Sequence, residues 1–370
     1  MMTGWWLLIS VPLLIHCGFI VWCAVWWTRF KQERPASTEP LPFVTVLVPV
    51  RNEGTSIGRL IESIALQQYP ADRFELIVVD DGSEDRTLTV VRQSFDKFSS
   101  LRSSVISLTD VGSKKAAIEA GVQAARGEWI LATDGDTYFG PKWMNGMMQV
   151  ARTADVKLIC GPVIVVPKES SVIGRTAGLE SLGLTAIAGA GILSGYPFFC
   201  NGANMAYRKS HFQELQGFVK TEGRLSGDDT DLLTRTSADA IRYIASGEVV
   251  VRTDAPSTIG GFFSQRQRWA SKIPVSLSGR TFFFAAAAWC CHTLLLFSLT
   301  GCFGWTLPVV LWTTKVVVEV ILLKVSGHTL GGAASLPLIL VLQPLYALAV
   351  VIVGITAVAL PYRWKGRKGH

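Results

Sequence analysis

Apolar residues crowd both ends of this chain, and in the middle their spacing switches repeatedly between the period of a strand and that of a helix. Residues 5–27 (WWLLISVPLLIHCGFIVWCAVWW) carry no charge and exceed the roughly 20 apolar residues that a helix needs to cross a bilayer. No Lys or Arg precedes that run and Arg29, Lys31 and Arg34 follow it, the pattern of an uncleaved anchor with its C-terminal side in the cytoplasm. Residues 1–28 are expected to be the anchor, and 29–42, basic and then proline-containing, a linker. Beyond Arg280, residues 281–303, 305–323 and 335–360 turn apolar again, with glycine-containing breaks between them and the basic tail YRWKGRKGH behind. Three crossings after a cytoplasmic domain would carry that tail to the far side, against the positive-inside tendency. The region 276–370 is therefore expected to hold two or three spans, with 281–303 the candidate for a re-entrant or interfacial segment. Lys315 and Glu319 lie four apart in the middle span, where a helix lets them pair and lowers the cost of burying either charge.

Between the ends, FVTVLVPV (43–50), FELIVVD (74–80), SSVISL (103–108) and EWILATD (128–134) read as strands. RLIESIALQQ (59–68), RTLTVVRQSF (86–95) and KKAAIEAGVQAA (114–125) read as the helices connecting them. Such alternation predicts an α/β domain over 43–275, with a mostly parallel sheet covered by helices on both faces. Ligands of open α/β sheets bind beyond the carboxyl ends of the strands. Three strand ends here carry polar clusters: Pro49, Arg51, Asn52 and Glu53; then Asp80, Asp81, Gly82 and Ser83; then Asp134, Gly135 and Asp136. Any one of them alone could be turn or cap chemistry. Their recurrence at successive edges points to a ligand.

In DGD, two carboxylates flank a glycine, so a turn there presents hard oxygen ligands suited to Mg2+ or Mn2+, with a substrate diphosphate supplying the remaining ligands. Neither GxxxxGK[ST] nor a GxGxxG following a strand occurs, which removes the usual backbone cradles for phosphate. The 35 Lys and Arg exceed the 28 Asp and Glu, for a formal charge of +7. Much of the excess (Arg266, Arg268, Lys272, Arg280 and the tail) adjoins apolar segments, which suits an anionic leaflet; no nucleic-acid partner is expected. The seven cysteines show no CxxC and no Cys/His ligand spacing, so neither disulfides nor zinc are expected.

The order VPVRNEG, VVDDGSEDRT, KKAAIEAGVQAARGEWILATDGD, GDDTDL and QRQRW resembles the family 2 glycosyltransferases, in the membrane-associated branch of ceramide glucosyltransferase and the hyaluronan and cellulose synthases. The resemblance covers roughly residues 43–275. It implies a GT-A nucleotide-diphospho-sugar transferase domain flanked by transmembrane helices. It further implies that Asp80 and Asp81 contact the nucleotide base, that Asn52 and Glu53 line the nucleoside pocket with Pro49 and Arg51 beside it, and that Asp134 and Asp136 hold the metal, Asp136 most directly. Lys114 would sit near the diphosphate, although Ser113 replaces the family's glycine and Lys115 competes for the assignment. Inverting transfer needs a base to take the proton of the attacking hydroxyl. Asp229 matches that base and Asp228 would orient it; the alternative is a helix cap, since DLLTRT reads as a helix start. Gln265, Arg268 and Trp269 match QxxRW, which would bind the departing diphosphate; an interfacial helix is the other reading, and both can hold. Asn201, Gly202 and Asn204 are candidate acceptor contacts, while Trp143 and Met144 read as packing and His211 as a local hydrogen-bonding residue.

These features together predict an integral (inner-)membrane enzyme with a cytoplasmic catalytic domain. It would move a sugar from a nucleotide-sugar, by family habit a UDP-sugar, to a lipid or membrane-proximal acceptor hydroxyl. A processive polysaccharide synthase and a non-catalytic nucleotide-binding scaffold are the alternatives.

Overall fold

The computed structural model describes residues 2–30, 40–109, 112–152, 155–167, 171–218, 227–271, 279–300, 304–332, 336–360, 362–364 and 367–369. The chain divides into two compact units, residues 31–164 with 192–254, and residues 1–30 with 165–191 and 255–370.

The first unit is α/β. Its described elements are β1 (Val44–Val50), α2 (Ile57–Ala65), β2 (Phe74–Asp80), α3 (Thr87–Lys97), β3 (Ser103–Ser107), α4 (Lys114–Ala124), β4 (Trp129–Ala132), β5 (Thr137–Phe139), α5 (Trp143–Met148), β6 (Leu158–Cys160), the start of β7 (Val163–Val166), β8 (Met205–Arg208), α7 (Lys209–Glu214), α8 (Asp228–Arg235), β9 (Ile241–Tyr243) and β10 (Val251–Asp254). Seven strands form one sheet in the order β3-β2-β1-β4-β8-β6-β9. β1 runs parallel to β2 and β4, β2 to β3, and β6 to β9, whereas β8 is antiparallel to both β4 and β6. The sheet is thus parallel in the half that the alternating pattern predicted and mixed beyond it. β2 is buried along its whole length and β1 at all but one position, as expected of strands covered on both faces. Helix α2 buries Ile57, Leu60, Ile61 and Ile64, one stripe at helical spacing, into the core that also takes Trp129, Trp143, Met144 and Met147. Trp143 and Met144 are therefore packing residues, as their setting in the sequence indicated.

The chain steps outward from β1 to β2 to β3 and then returns to the other side of β1 for β4. The order reverses between β1 and β4, and a crevice for a ligand opens outside the carboxyl ends of strands at such a switch point.

The second unit is helical: α1 (Met2–Arg29), α6 (Val172–Leu193), α9 (Ile259–Ala270), α10 (Gly279–Ser298), α11 (Thr306–Leu330) and α12 (Leu336–Ala359). Five helices among the described residues are long and apolar enough to cross a membrane: α1, α6, α10, α11 and α12. Residues 281–303 were the candidate for a re-entrant or interfacial segment, and residues 279–298 form one unbroken helix of 20 residues. One of the five helices departs from expectation. Helix α6 lies inside the stretch 43–275 expected as a single soluble domain, and residues 165–191 and 255–271 belong to the helical unit instead. Glycine and alanine make up much of VIGRTAGLESLGLTAIAGAGIL, so its apolar character is diluted, and only Arg175 and Glu180 are charged. The indole of Trp27 on α1 donates to the Ala186 carbonyl of α6 at 2.7 Å, a contact that small neighbours permit.

Inside this unit Glu319 of α11 accepts from Lys315 Nζ at 2.8 Å, from His16 Nε2 of α1 at 3.0 Å and from Gln343 Nε2 of α12 at 2.8 Å. The expected Lys315–Glu319 pair is present, and the structure adds two helices to it. Trp289 of α10 packs against Gly354 of α12, where an added Cβ would come within 2.3 Å of the ring.

Candidate active site at the carboxyl edge of the sheet

The loop after β1 is shaped by its own polar residues. Asn52 takes a left-handed backbone conformation (φ 53°), tolerable for Asn, and its amide donates to Ser83 Oγ at 2.9 Å. Its side-chain oxygen accepts from the Glu84 amide at 2.9 Å, so the loops after β1 and β2 are stitched together. Arg51 donates to the Asp81 carbonyl at 2.7 Å across the same seam. Glu53 accepts from the Ser56 hydroxyl at 2.8 Å at the start of α2. Pro49 is a β1 residue paired in register with Val79.

Two adjacent carboxylates at the end of β2 would repel each other, and donors answer each of them. Asp80 accepts from the Ser83 amide at 3.2 and 3.3 Å, and Asp81 accepts from the Gly112 amide at 3.0 Å. Both are 3% exposed. Asp80 thus performs the turn chemistry that was the simpler reading of DDGS, bending the chain at Gly82 (φ 72°).

Asp85 and Thr87 were not singled out in the sequence, yet they hold this edge. Asp85 accepts from the Gly54 amide at 3.0 Å, from the Thr87 amide at 2.9 Å and from the Thr87 hydroxyl, while Thr87 Oγ1 accepts from the Glu53 amide at 2.8 Å. Desolvation would raise the pKa of the exposed Asp85, but the Thr87 and Gly54 donors prevail and hold it below the usual carboxylate value. The signal was present in SEDRT, an Asp two residues before a helix begins. Gly54 is required here, because a Cβ would come within 2.9 Å of the Asp85 carboxylate and 3.2 Å of the Thr87 amide.

The turn after β4 brings DGD against the loop after β1: a Cβ on Gly135 would meet Glu53 Cγ and Val50 Cγ1, each at 3.0 Å. Asp134 is half-buried; Asp136 is exposed and accepts from Thr253 Oγ1 of β10 at 3.3 Å. Lys114 occupies the first turn of α4, capped by the Ser113 hydroxyl, which accepts from the Ala116 amide at 3.3 Å. Its ammonium lies 2.8 Å from Asp134 Oδ1 and 3.2 Å from Asp228 Oδ2. Burial alone would lower the Lys114 pKa; the two carboxylates more than reverse this and hold it well above the ordinary lysine value. Lys115, the rival in the sequence, is buried with its ammonium 5.4 Å from the Phe218 ring centre.

Asp228 and Asp229 open α8, and Gly227 (φ 98°) holds the cap position, so neither acid serves as the N-cap. Asp229 Oδ1 accepts from the Thr230 amide at 2.8 Å and from its hydroxyl at 3.2 Å. A Cβ on Gly202 would stand 3.0 Å from Asp228 Oδ2, 3.4 Å from Asp229 Cβ and 3.5 Å from Lys114 Nζ, which places this glycine against the same cluster. Asn201 accepts from the Ala203 amide at 3.0 Å and shapes the turn that delivers Gly202.

Asn204 requires correction as an acceptor contact. It is fully buried, its oxygen accepts from the Trp143 indole at 2.9 Å, and its amide donates to the Pro162 and Val249 carbonyls, each at 2.9 Å. All of its polar atoms are engaged in the core, and it braces the unit from within. His211, hydrogen-bonded through Nε2 to Thr236 Oγ1 at 3.0 Å, has the local role expected of it.

Gln265, Arg268 and Trp269 lie on α9 of the helical unit. The buried arginine of QRQRW is Arg266. It donates to Glu180 of α6 at 2.6 Å and to Gln265 Oε1 at 2.8 Å, and its guanidinium stacks 3.5 Å from the Phe262 ring centre. Sequence spacing passed over it because the motif names only the second arginine.

Among the described residues, no three His, Cys, Asp or Glu side chains form a ready metal cage. Asp134 and Asp136 offer two hard carboxylates, and a cation, the Lys114 ammonium, already rests on Asp134. This donor set fits a divalent ion that finishes its coordination with ligand oxygens.

A parallel half-sheet with its polar loops gathered at the switch point, continued by antiparallel strands and flanked by apolar helices, is a GT-A type nucleotide-diphospho-sugar transferase fold. The chain overlays the mannosyltransferase PcManGT of Pyrobaculum calidifontis, in complex with GDP-Man and Mn2+, with a TM-score of 0.62 at 19% identity, covering 94% of this chain and 98% of that one. The chain matches the family model Glycosyl transferase family 2 over residues 45–216. Its relatives include the probable glycosyltransferase YdaM of Bacillus subtilis (26% identical over 274 residues, 71% of this chain and 63% of the relative). Another is the dodecaprenyl-phosphate galacturonate synthase of Rhizobium johnstonii (35% over 120 residues, 32% of this chain and 35% of the relative). The chain spans less than two thirds of the length of either relative.

Proposed function

We propose that the protein is an inverting glycosyltransferase that moves a sugar from a nucleoside-diphosphate donor, in our reading a UDP-sugar, to a hydroxyl of a lipid or membrane-proximal acceptor. The observation that carries this reading is the Lys114 ammonium, which ties the DGD acid Asp134 to the GDD acid Asp228 at the switch-point edge of the sheet. The family 2 profile over this sheet supports the donor class, and the five apolar helices support an acceptor at the membrane. A relative that is a dodecaprenyl-phosphate galacturonate synthase favours a lipid acceptor.

In this reading the nucleoside lies along the loops after β1 and β2, beside Arg51, Asn52, Glu53 and Asp81. Asp134 and Asp136 would hold Mg2+ or Mn2+, which neutralises charge on the diphosphate. The acceptor oxygen attacks the anomeric carbon from the side opposite the diphosphate. The new carbon–oxygen bond forms as the bond to the leaving group breaks, and Asp229 receives the hydroxyl proton. Asp228 and Lys114 fix the position of α8's first turn. The leaving-group role of Gln265, Arg268 and Trp269 comes from the motif alone, and Arg268→Ala is expected to lower turnover while donor binding persists.

The test is a thermal-shift panel of UDP- and GDP-sugars with and without Mn2+ or Mg2+ on the purified full chain. Donor at about 100 times its Kd stabilises the native state by roughly 2.7 kcal/mol. A panel in which no nucleotide-sugar raises the melting temperature with either metal overturns the reading. Mass spectrometry of lipid extracts incubated with the donor that binds then identifies the acceptor.

A further inference from the structure

Lys114 sits where two needs conflict. Its ammonium contacts Asp134 at 2.8 Å and Asp228 at 3.2 Å, and its side chain is only 16% exposed. Asp134 is one of the two carboxylates available to a divalent cation, and Asp228 adjoins the proposed base. A metal arriving alone must either displace a mostly buried ammonium from both partners or settle beside it against like-charge repulsion. Gly202 closes one side of this space, with a hypothetical Cβ 3.5 Å from the ammonium. A nucleoside diphosphate changes the balance, because its oxygens provide the ammonium with a new anionic partner at the moment the metal claims Asp134.

We propose that Lys114 is an internal placeholder cation: it keeps Asp134 from binding metal until a diphosphate arrives, so that metal and nucleotide load as a pair. The proposal rests on the nucleotide-sugar reading of this site. Lys114 is a positioning residue in this role, acting through Asp134 and Asp228, and no bond to it is made or broken. Charge explains why lysine suits the position. Asp134 and Asp228 together present two carboxylates to one ammonium, so the edge remains attractive to a metal, and the lysine restrains it from loading early.

The test measures Mn2+ binding to the detergent-solubilised full chain from the electron paramagnetic resonance signal of free Mn2+, alone and with UDP or GDP. Wild type is expected to bind Mn2+ alone about tenfold or more weakly than in the presence of one of these nucleotides. Lys114→Gln should bind Mn2+ alone about tenfold more tightly than wild type and lose most of the nucleotide enhancement, and Lys114→Arg should behave as wild type. Equal Mn2+ affinity in wild type and a folded Lys114→Gln, with nucleotide enhancement intact in both, overturns the placeholder and leaves the nucleotide-sugar reading standing. If Lys114→Gln does not fold, the wild-type comparison decides: Mn2+ bound as tightly without nucleotide as with it overturns the proposal. Failure of every nucleotide and nucleotide-sugar to bind, with or without metal, overturns the underlying reading instead.

Discussion

Replacing Asp229 by Asn removes a proton acceptor while preserving the shape of the side chain. The carboxylate accepts from the Thr230 amide at 2.8 Å and from its hydroxyl at 3.2 Å, and an amide oxygen can accept both. Asp228 and Asp134 stay in place, so Lys114 keeps both partners. The structural loss is then one negative charge in the first turn of α8, worth about 0.3–1 kcal/mol against the helix dipole. The chemical loss is far larger. A positioned general base contributes about 10²- to 10⁴-fold, or roughly 2.7–5.4 kcal/mol of barrier at about 1.36 kcal/mol per decade. Asp228→Asn reverses the balance, because it strips one carboxylate from a mostly buried ammonium, a charged hydrogen bond worth about 1.5–3 kcal/mol of stability. The assay pairs turnover at saturating donor with the melting temperature of each variant. Asp229→Asn should melt close to wild type, bind donor normally and transfer sugar at least about 100-fold more slowly. Turnover within about tenfold of wild type, or a melting temperature below that of Asp228→Asn, would falsify the assignment of Asp229 as base.

Other consequences follow from the same contacts. In the helical unit, Glu319→Leu leaves the fully buried Lys315 with Gln343 and should cost about 3–5 kcal/mol, most of it recovered in the double variant Lys315→Met/Glu319→Leu. Thermal unfolding of the three proteins in detergent decides this, and additive costs would refute it. Asn204→Ala orphans the Trp143 indole and two carbonyls, each worth about 1–3 kcal/mol, so stability should fall sharply while the KM for acceptor stays unchanged. An altered KM would return Asn204 to the acceptor site. Burial, with the nearby Lys157 charge, holds His211 below the ordinary histidine pKa. The stability gained by keeping it neutral is complete above about pH 6.5, the unfolded value, and is lost as pH falls from there toward the lower folded value. His211→Gln should unfold with a flatter acid dependence below about pH 6.5, and parallel curves for the two proteins would count against the effect.

The half of the sheet from β3 to β4 was legible because parallel strands alternating with helices mark each boundary by a change of period, a local property. The clusters after β1, β2 and β4 were legible for the same reason: polar residues that end buried strands must emerge at one edge. Strand β8 was hidden because four residues of MAYR carry no sign of their direction. Helix α6 was hidden because glycine and alanine lower its apolar contrast while easing its packing. Asn204 looked like a loop residue in a row of small ones, and only burial against Trp143 exposes its role.

From the sequence alone came the class of fold, the acids at the strand ends and the apolar segments at both termini, since each is encoded in the local pattern of neighbouring residues. The tertiary structure decided which charges meet. Lys114 with Asp134 and Asp228, Asp85 with Gly54, Arg266 with Glu180 and Glu319 with His16 all join residues distant along the chain. Periodicity cannot report such pairings, because an ion pair depends on separation in space and on the water excluded around it, and both are set only when the elements pack.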